Sequence, residues 1–148
     1  MKLRNFYFAP VFALSLVACE ENHSHFTATI DENIPFEASF CQSQKNQSQG
    51  CLVYATQGKI RFDLNIPSYW QEGTYHFWPY PTFYESSFKY TPDTGFPHRH
   101  YYGHMGSIHL INAAEDWVTG SFIFWVVNSL NPNDSIRIWG EFDQVPFK

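Results

Sequence analysis

The chain has 148 residues, enough for one domain with a buried core. Its residues are 44% hydrophobic and 20% aromatic, a composition that excludes an intrinsically disordered protein. The formal net charge of −5 and the lack of a basic stripe exclude a nucleic-acid-binding surface, so we expect no nucleic acid partner.

The first 18 residues have the features of a signal peptide. Lys2 and Arg4 precede an apolar run over residues 6–17, which has signal-peptide length and is too short for a membrane-spanning helix. The run ends in Leu-Val-Ala-Cys, which resembles the lipobox of bacterial lipoproteins, where a signal peptidase cleaves before a cysteine that becomes lipidated. The resemblance implies lipidation of Cys19, attachment to a membrane, and location in the bacterial cell envelope as an outer-membrane lipoprotein. An ordinary secretory signal with a chance cysteine is the alternative.

Residues 19–25 are predicted to form a polar tether before a single domain over residues 26–148. The tether begins Cys19-Glu20-Glu21. These acidic residues resemble a signal that sends lipoproteins of some Gram-negative bacteria to the outer surface, which implies a surface-exposed protein. A solvated linker is the alternative.

Short segments with period-two alternation predict an all-β domain of about nine strands and no long helix. Turn residues separate the segments at regular intervals, which favours an antiparallel β-sandwich or a partly open barrel. Ten extended segments carry this pattern, and two of them, residues 98–104 and 106–111, are separated by a single residue. The segments lie at residues 26–30, 34–41, 52–56, 59–66, 72–77, 83–91, 98–104, 106–111, 117–127 and 135–145.

Cys41 and Cys51 are predicted to form a disulfide. The nine residues between them are polar and end in glycine, which indicates an exposed hairpin loop. A disulfide across the base of this loop would contribute about 2–3 kcal/mol to stability. The alternative, a two-cysteine metal site, lacks further ligands in the loop.

Aromatic residues crowd the part of the chain between residues 69 and 102. Tyrosine and tryptophan combine a flat apolar ring with a polar atom, which suits sugar rings or protein hot spots. The alternative is that these rings fill the core of the domain. The residues predicted to form a ligand-binding face are Trp70, Trp78, Tyr80, Tyr84 and Tyr101.

A histidine cluster follows at His98, His100 and His104. In an uninterrupted strand these residues share one face, and neighbouring imidazoles at this spacing suit a divalent transition metal such as zinc, copper or nickel. The same alternation places Ile108 and Leu110 on that face, which would turn the histidines toward the core, and a β-bulge at Gly103 and Gly106 would reverse this orientation. Exposed histidines at a hairpin tip are the alternative.

The segment at residues 117–127 is predicted to be the central strand. Phe122 and Phe124 lie on one face, and Ile123 and Trp125 lie on the other. Because the second half is apolar on both faces, we expect cover on both sides. The segment carries no candidate for chemistry.

The chain also lacks the motifs of known enzyme classes. Ser107 and Ser121 follow glycines, but neither lies in a Gly-x-Ser-x-Gly elbow, and no phosphate-binding glycine loop occurs. The carboxylates are scattered over predicted turns and polar strand faces. We therefore expect a non-enzymatic protein.

The pattern of the last strands resembles small all-β bacterial lipoprotein families of unknown function. These strands read Gly-x-Ile-x-Leu, Val-x-Gly-x-Phe-x-Phe and Ile-x-Ile-x-Gly-x-Phe, and the domain begins Phe-Thr-Ala at residue 26. The resemblance implies a fold and a cellular address but no activity. We expect a lipid-anchored envelope protein that binds or scaffolds a protein or glycan partner through its aromatic-rich face. A metal-binding envelope protein is the alternative.

Overall fold

The computed structural model describes residues 24–31, 33–46, 50–68, 71–78, 88–96 and 99–148, and within them the fold is all-β. No helix in these ranges is long and apolar enough to cross a membrane. The strands are β1 (His25–Ile30), β2 (Ile34–Glu37), β3 (Phe40–Lys45), β4 (Cys51–Gln57), β5 (Ile60–Ile66), β6 (Gly73–Phe77), β7 (Phe88–Thr91), β8 (Tyr101–Ala113), β9 (Trp117–Asn128) and β10 (Ser135–Pro146).

All ten strands belong to one curled sheet. Its order is β2-β1-β10-β9-β8-β7-β5-β4-β3, and β6 also pairs with β8. Each pair of neighbouring strands is antiparallel. The curl brings β3 against the end of β10, where Ser43 forms an isolated bridge with Phe147. The prediction of an all-β, partly open barrel is confirmed.

The connection between β2 and β3 brings the two ends of the sheet together. Ala38 donates its N–H to the carbonyl of Phe26 at 2.9 Å, and Ser39 donates to Thr56 at 2.9 Å. The chain therefore leaves β1 and joins β4 within one residue. The sequence predicted one strand over residues 34–41, but two are required because β2 and β3 lie at opposite ends of the strand order.

Phenylalanine rings fill the interior of the barrel. The Phe26 ring lies 5.4 Å from that of Phe122 and 5.7 Å from that of Phe62, measured between ring centroids. Phe88 stacks on Phe124 at 4.8 Å. All five side chains are buried, and burying one such side chain stabilises a fold by about 1.5–3 kcal/mol.

Glycines make room for three of the interior rings. A Cβ atom added to Gly120 would lie 2.7 Å from the Phe142 ring, and one added to Gly140 would lie 2.8 Å from the Phe122 ring. Each glycine is directly opposite the phenylalanine that covers it, so a shift of register would separate ring and glycine. The pairs are Gly106 with Phe124, Gly120 with Phe142, and Gly140 with Phe122.

Strand β9 lies between β8 and β10, as predicted for the central strand. Phe122 and Phe124 point inward and are buried. The prediction that both faces of β9 are covered is wrong for the outer face, where Trp125 is 40% exposed. This outer face is therefore open to a ligand.

The predicted disulfide between Cys41 and Cys51 is wrong for this structure, in which both residues are buried free thiols. Cys41 lies opposite Ala55, and Cys51 lies opposite Lys45. Cys51 therefore lies opposite a residue that is four positions along β3 from Cys41, which corresponds to about 13 Å along the strand. The Cα atoms of disulfide-linked cysteines lie within about 7 Å of each other. The polar residues after Cys41 continue β3 as far as Lys45, so the hairpin loop between β3 and β4 is shorter than the predicted nine residues; residues 47–49 lie outside the described residues.

Burial determines the chemistry of the two thiols. It raises the pKa of Cys51 to about 12, and nearby Lys45 only partly opposes this rise. Burial also raises the pKa of Cys41, against a lowering by a hydrogen bond from Ser24. Both side chains therefore stay protonated at neutral pH and are poor nucleophiles.

Candidate ligand-binding face

The predicted histidine cluster is interrupted by a β-bulge. Gly103 pairs with Val126 and Met105 pairs with Trp125, so His104 is the additional residue of the bulge and is exposed. The ring of His100 lies edge-on to that of Tyr102 at 5.1 Å. His98 lies outside the described residues.

The described residues do not bring together a set of metal ligands. Among them, no group of three or more His, Cys, Asp or Glu side chains is arranged to hold a metal ion. Further along β8, the Nδ1 atom of His109 lies 3.0 Å from the hydroxyl of Thr74. Metal binding through His98, His100 and His104 stays a prediction.

The predicted aromatic face is described at two of its five positions. Trp78 is 71% exposed, so its ring is available to a ligand. Tyr101 is half-buried, and its hydroxyl donates to the Asp134 carboxylate at 2.9 Å. This hydrogen bond ties β8 to the β9–β10 turn. The ring of Tyr101 lies 5.7 Å from that of Tyr90 on β7. The other three positions, Trp70, Tyr80 and Tyr84, lie outside the described residues.

A second aromatic cluster lies on the outer face of β9 and β10. The guanidinium carbon of Arg137 lies 5.1 Å from the ring centroid of Trp125 and 5.2 Å from that of Trp139. Each cation–π contact of this kind contributes about 0.5–1 kcal/mol at an exposed site. We call these three residues the Trp–Arg–Trp cluster.

Strand alternation explains why these side chains point outward. In β10, Ile138 and Phe142 point into the core, so Arg137 and Trp139 occupy the opposite face. The register between β9 and β10 places Arg137 directly opposite Trp125. The alternation of β10 could have indicated the outward tryptophan from sequence, but the contact with Trp125 depends on strand pairing.

A cleft of about 710 Å³ adjoins this cluster and is lined by residues of β1, β2, β9 and β10 and by Gln57 of β4. Trp139 lines it from the outer face, whereas Phe36 and Phe122, which also line it, are buried core residues. Two cross-strand rows lie side by side here. The first is Pro35, Thr29, Trp139 and Ile123, and the second is Glu37, Thr27, Glu141 and Ser121.

The second row offers polar atoms to a ligand. Within the part of the chain that the structure describes, no hydrogen bond links the side chains of Thr27, Ser121 and Glu141 to the protein. Adjacent rows on one face of a strand are two residues apart, about 7 Å. A flat apolar ring therefore lies beside hydroxyl and carboxylate groups at a spacing that a small polar ring can span.

Comparison with known proteins finds no matching family model, no matching curated protein and no matching solved structure. We therefore argue the function from the residues of this face.

Proposed function

We propose that the protein is a lipid-anchored, non-enzymatic glycan-binding protein of the bacterial cell envelope. The observation that carries the proposal is the outward ring of Trp139 beside the row that contains Thr27, Glu141 and Ser121. A sugar ring presents an apolar C–H face and an edge of hydroxyl groups. Binding such a ring requires a flat apolar surface with hydrogen-bonding groups at its side.

The Trp–Arg–Trp cluster prepares the apolar surface. Arg137 lies between both tryptophan rings and limits their rotation, which lowers the entropy lost when a ligand binds. The carboxylates of Glu37 and Glu141 accept hydrogen bonds from sugar hydroxyls. The hydroxyl groups of Thr27 and Ser121 can both donate and accept.

The lipobox at residues 16–19 supports the proposed address, and Cys19 is the residue that carries the lipid. A Cys19→Ala variant should remain unacylated when the protein is expressed in a Gram-negative host. Mass spectrometry of the N-terminal peptide measures this result. A normally lipidated Cys19→Ala product would contradict the proposed anchor.

The glycan site is tested with a glycan array that contains bacterial envelope oligosaccharides, followed by titration calorimetry on each glycan bound. We expect Trp139→Ala to weaken binding by about 10-fold or more, because the ring supplies the stacking surface. Glu141→Gln should weaken binding less, because the amide retains the shape but loses charge. Circular dichroism and the unfolding midpoint check that each variant folds.

Trp78→Ala is the matched control, since it removes another exposed tryptophan away from the cleft. Unchanged affinity is expected. If Trp78→Ala loses binding and Trp139→Ala does not, the ligand face lies instead in the half of the chain between residues 69 and 102. An array with no bound glycan, together with a specific protein recovered by crosslinking through Trp125, would replace the glycan with a protein partner.

A further inference from the structure

One end of the barrel exposes apolar and cationic side chains together. Ile111 is 55% exposed and Trp117 is 38% exposed. Lys45 and Lys148, from β3 and the end of the chain, are also exposed. We call these four residues the anchor-side rim.

Hydrogen bonds hold the segments of this rim together. The ammonium of Lys45 donates to the carbonyl of Glu115 at 2.8 Å, in the turn before Trp117. The N–H of Phe147 donates to Asp116 at 2.9 Å, and the N–H of Lys148 donates to Ser43 at 3.0 Å. The rim is therefore a fixed part of the barrel.

The start of β1 lies at the same end of the barrel. His25 is opposite Asp143, and β1 runs from there away from the rim. Strand β10 continues past Asp143 to Pro146, which pairs with Trp117, and a β-bulge between Phe142 and Val145 shortens this stretch to about two strand steps. The rim therefore projects about 7 Å beyond the first residue of β1.

The tether limits how far the rim can lie from the lipid. Six residue steps from Cys19 to His25 span at most about 20 Å when fully extended. Subtracting the projection of the rim leaves at most about 13 Å between the rim and Cys19. This maximum exceeds the depth of the polar headgroup region on one side of a bilayer, about 5–8 Å, by only about two residue lengths.

We infer that the anchor-side rim rests in the headgroup region of the phospholipid bilayer that holds the lipid of Cys19. The inference depends on the lipid anchor of the proposed function and assigns a membrane-contacting surface to the folded domain itself. Trp117 occupies the interface, where tryptophan rings are favoured, and Ile111 adds apolar area. The exposed Lys45 ammonium, held beside the carbonyl of Glu115, lies where it can also contact lipid phosphates, whereas the Lys148 ammonium lies over the Phe40 ring, 5.6 Å from its centroid.

Charge alone does not drive this contact. Glu115 and Asp116 are exposed in the same turn, so the rim carries both signs of charge. We therefore expect contact with bilayers of low as well as high anionic lipid content. The short tether supplies the high local concentration that a weak apolar surface requires.

The experiment uses the full lipidated chain, reconstituted into vesicles of phosphatidylethanolamine and phosphatidylglycerol. Trp117→benzoylphenylalanine introduces a photo-crosslinker at the rim, and Ile111→benzoylphenylalanine provides a second rim position if the first variant does not fold. Leu130→benzoylphenylalanine is the matched control, because Leu130 is 65% exposed in the turn at the opposite end of β9.

After irradiation, mass spectrometry should find phospholipid attached at position 117 or 111 and none at position 130. Mass spectrometry of the N-terminal peptide reports separately whether Cys19 is acylated. An acylated protein without phospholipid at either rim position, or with equal crosslinking at position 130, overturns the inference. An unacylated Cys19 overturns the proposed anchor instead.

Discussion

The Phe122→Ala variant tests whether the ring-filled interior holds the barrel together. The Phe122 side chain is buried and lies 5.4 Å from both Phe26 and Phe88, measured between ring centroids. Truncating a buried phenylalanine costs about 3–5 kcal/mol, and each aromatic pair adds about 0.5–1.5 kcal/mol beyond burial. Because two pairs are lost and Gly140 cannot fill the space, we expect the upper half of the range, about 4–5 kcal/mol.

Urea unfolding followed by circular dichroism and tryptophan fluorescence measures the loss of free energy. A decrease of this size is a large part of the stability of a small domain, so the midpoint should fall sharply with an unchanged slope. Phe122→Leu retains most of the volume and should cost less than about 1.5 kcal/mol, which keeps the test measurable if the alanine variant is unfolded. Phe40→Ala is the control, because Phe40 is exposed. A Phe122→Ala cost no larger than that of Phe40→Ala would refute the reasoning.

Gly140→Ala should destabilise the protein by about 1–3 kcal/mol in urea, because the added methyl group meets the carbonyl of Thr27 and the Phe122 ring; an increase in stability would contradict the close approach. Ser43→Ala should lower the free energy of unfolding by about 1–3 kcal/mol, because the carbonyl of Pro146 loses the hydroxyl that donates to it at 2.9 Å. Cys51 should make stability fall as pH rises above about 9, since the unfolded thiol then loses its proton while burial holds the folded pKa near 12. Unfolding measured from pH 8 to pH 11 should show a shallower decline in Cys51→Ala, and an identical decline would contradict this cause.

The architecture was predictable because each strand carries its own alternation. Inward residues recur at every second position of β9 from Val118 to Val126, and Phe122 and Phe124 lie inside as that pattern predicts. The division between β2 and β3 was not predictable, since Phe36, Ala38 and Phe40 continue one period-two pattern across the break. The break between β2 and β3 arises because β2 pairs with β1, whereas β3 pairs with β4.

The cysteine prediction failed because polar residues were interpreted as a loop. In β3 the side chain of Ser43 points inward and is fully buried, and its hydroxyl donates to Pro146, 103 residues away. A polar residue is tolerated inside when such a partner exists. The partner lies on β10, so no local pattern around Cys41 or Cys51 could reveal it.

The candidate site was predicted only in its chemical type. An aromatic-rich ligand-binding face of tryptophan and tyrosine residues was expected between residues 69 and 102, whereas the cluster that the structure describes contains Trp125 and Trp139. The outward direction of Trp139 follows from strand alternation. Its association with Arg137 and Trp125, and with the hydroxyl row of β1, follows from the pairing of β10 with both neighbours.

The pairing of β1 with β10 also governs the order in which the chain can fold. Strand β1 pairs with β2, which follows it directly, but its other neighbour is β10, where His25 lies opposite Asp143; β1 therefore obtains this second neighbour only after nearly the whole chain has been made. Until then Phe26 has no covering ring from β9, and the edge of β1 has no partner on that side. Pairings between distant segments slow folding, to milliseconds or seconds in β-rich domains. The N-terminal strands therefore depend on protection from aggregation until the last strand arrives.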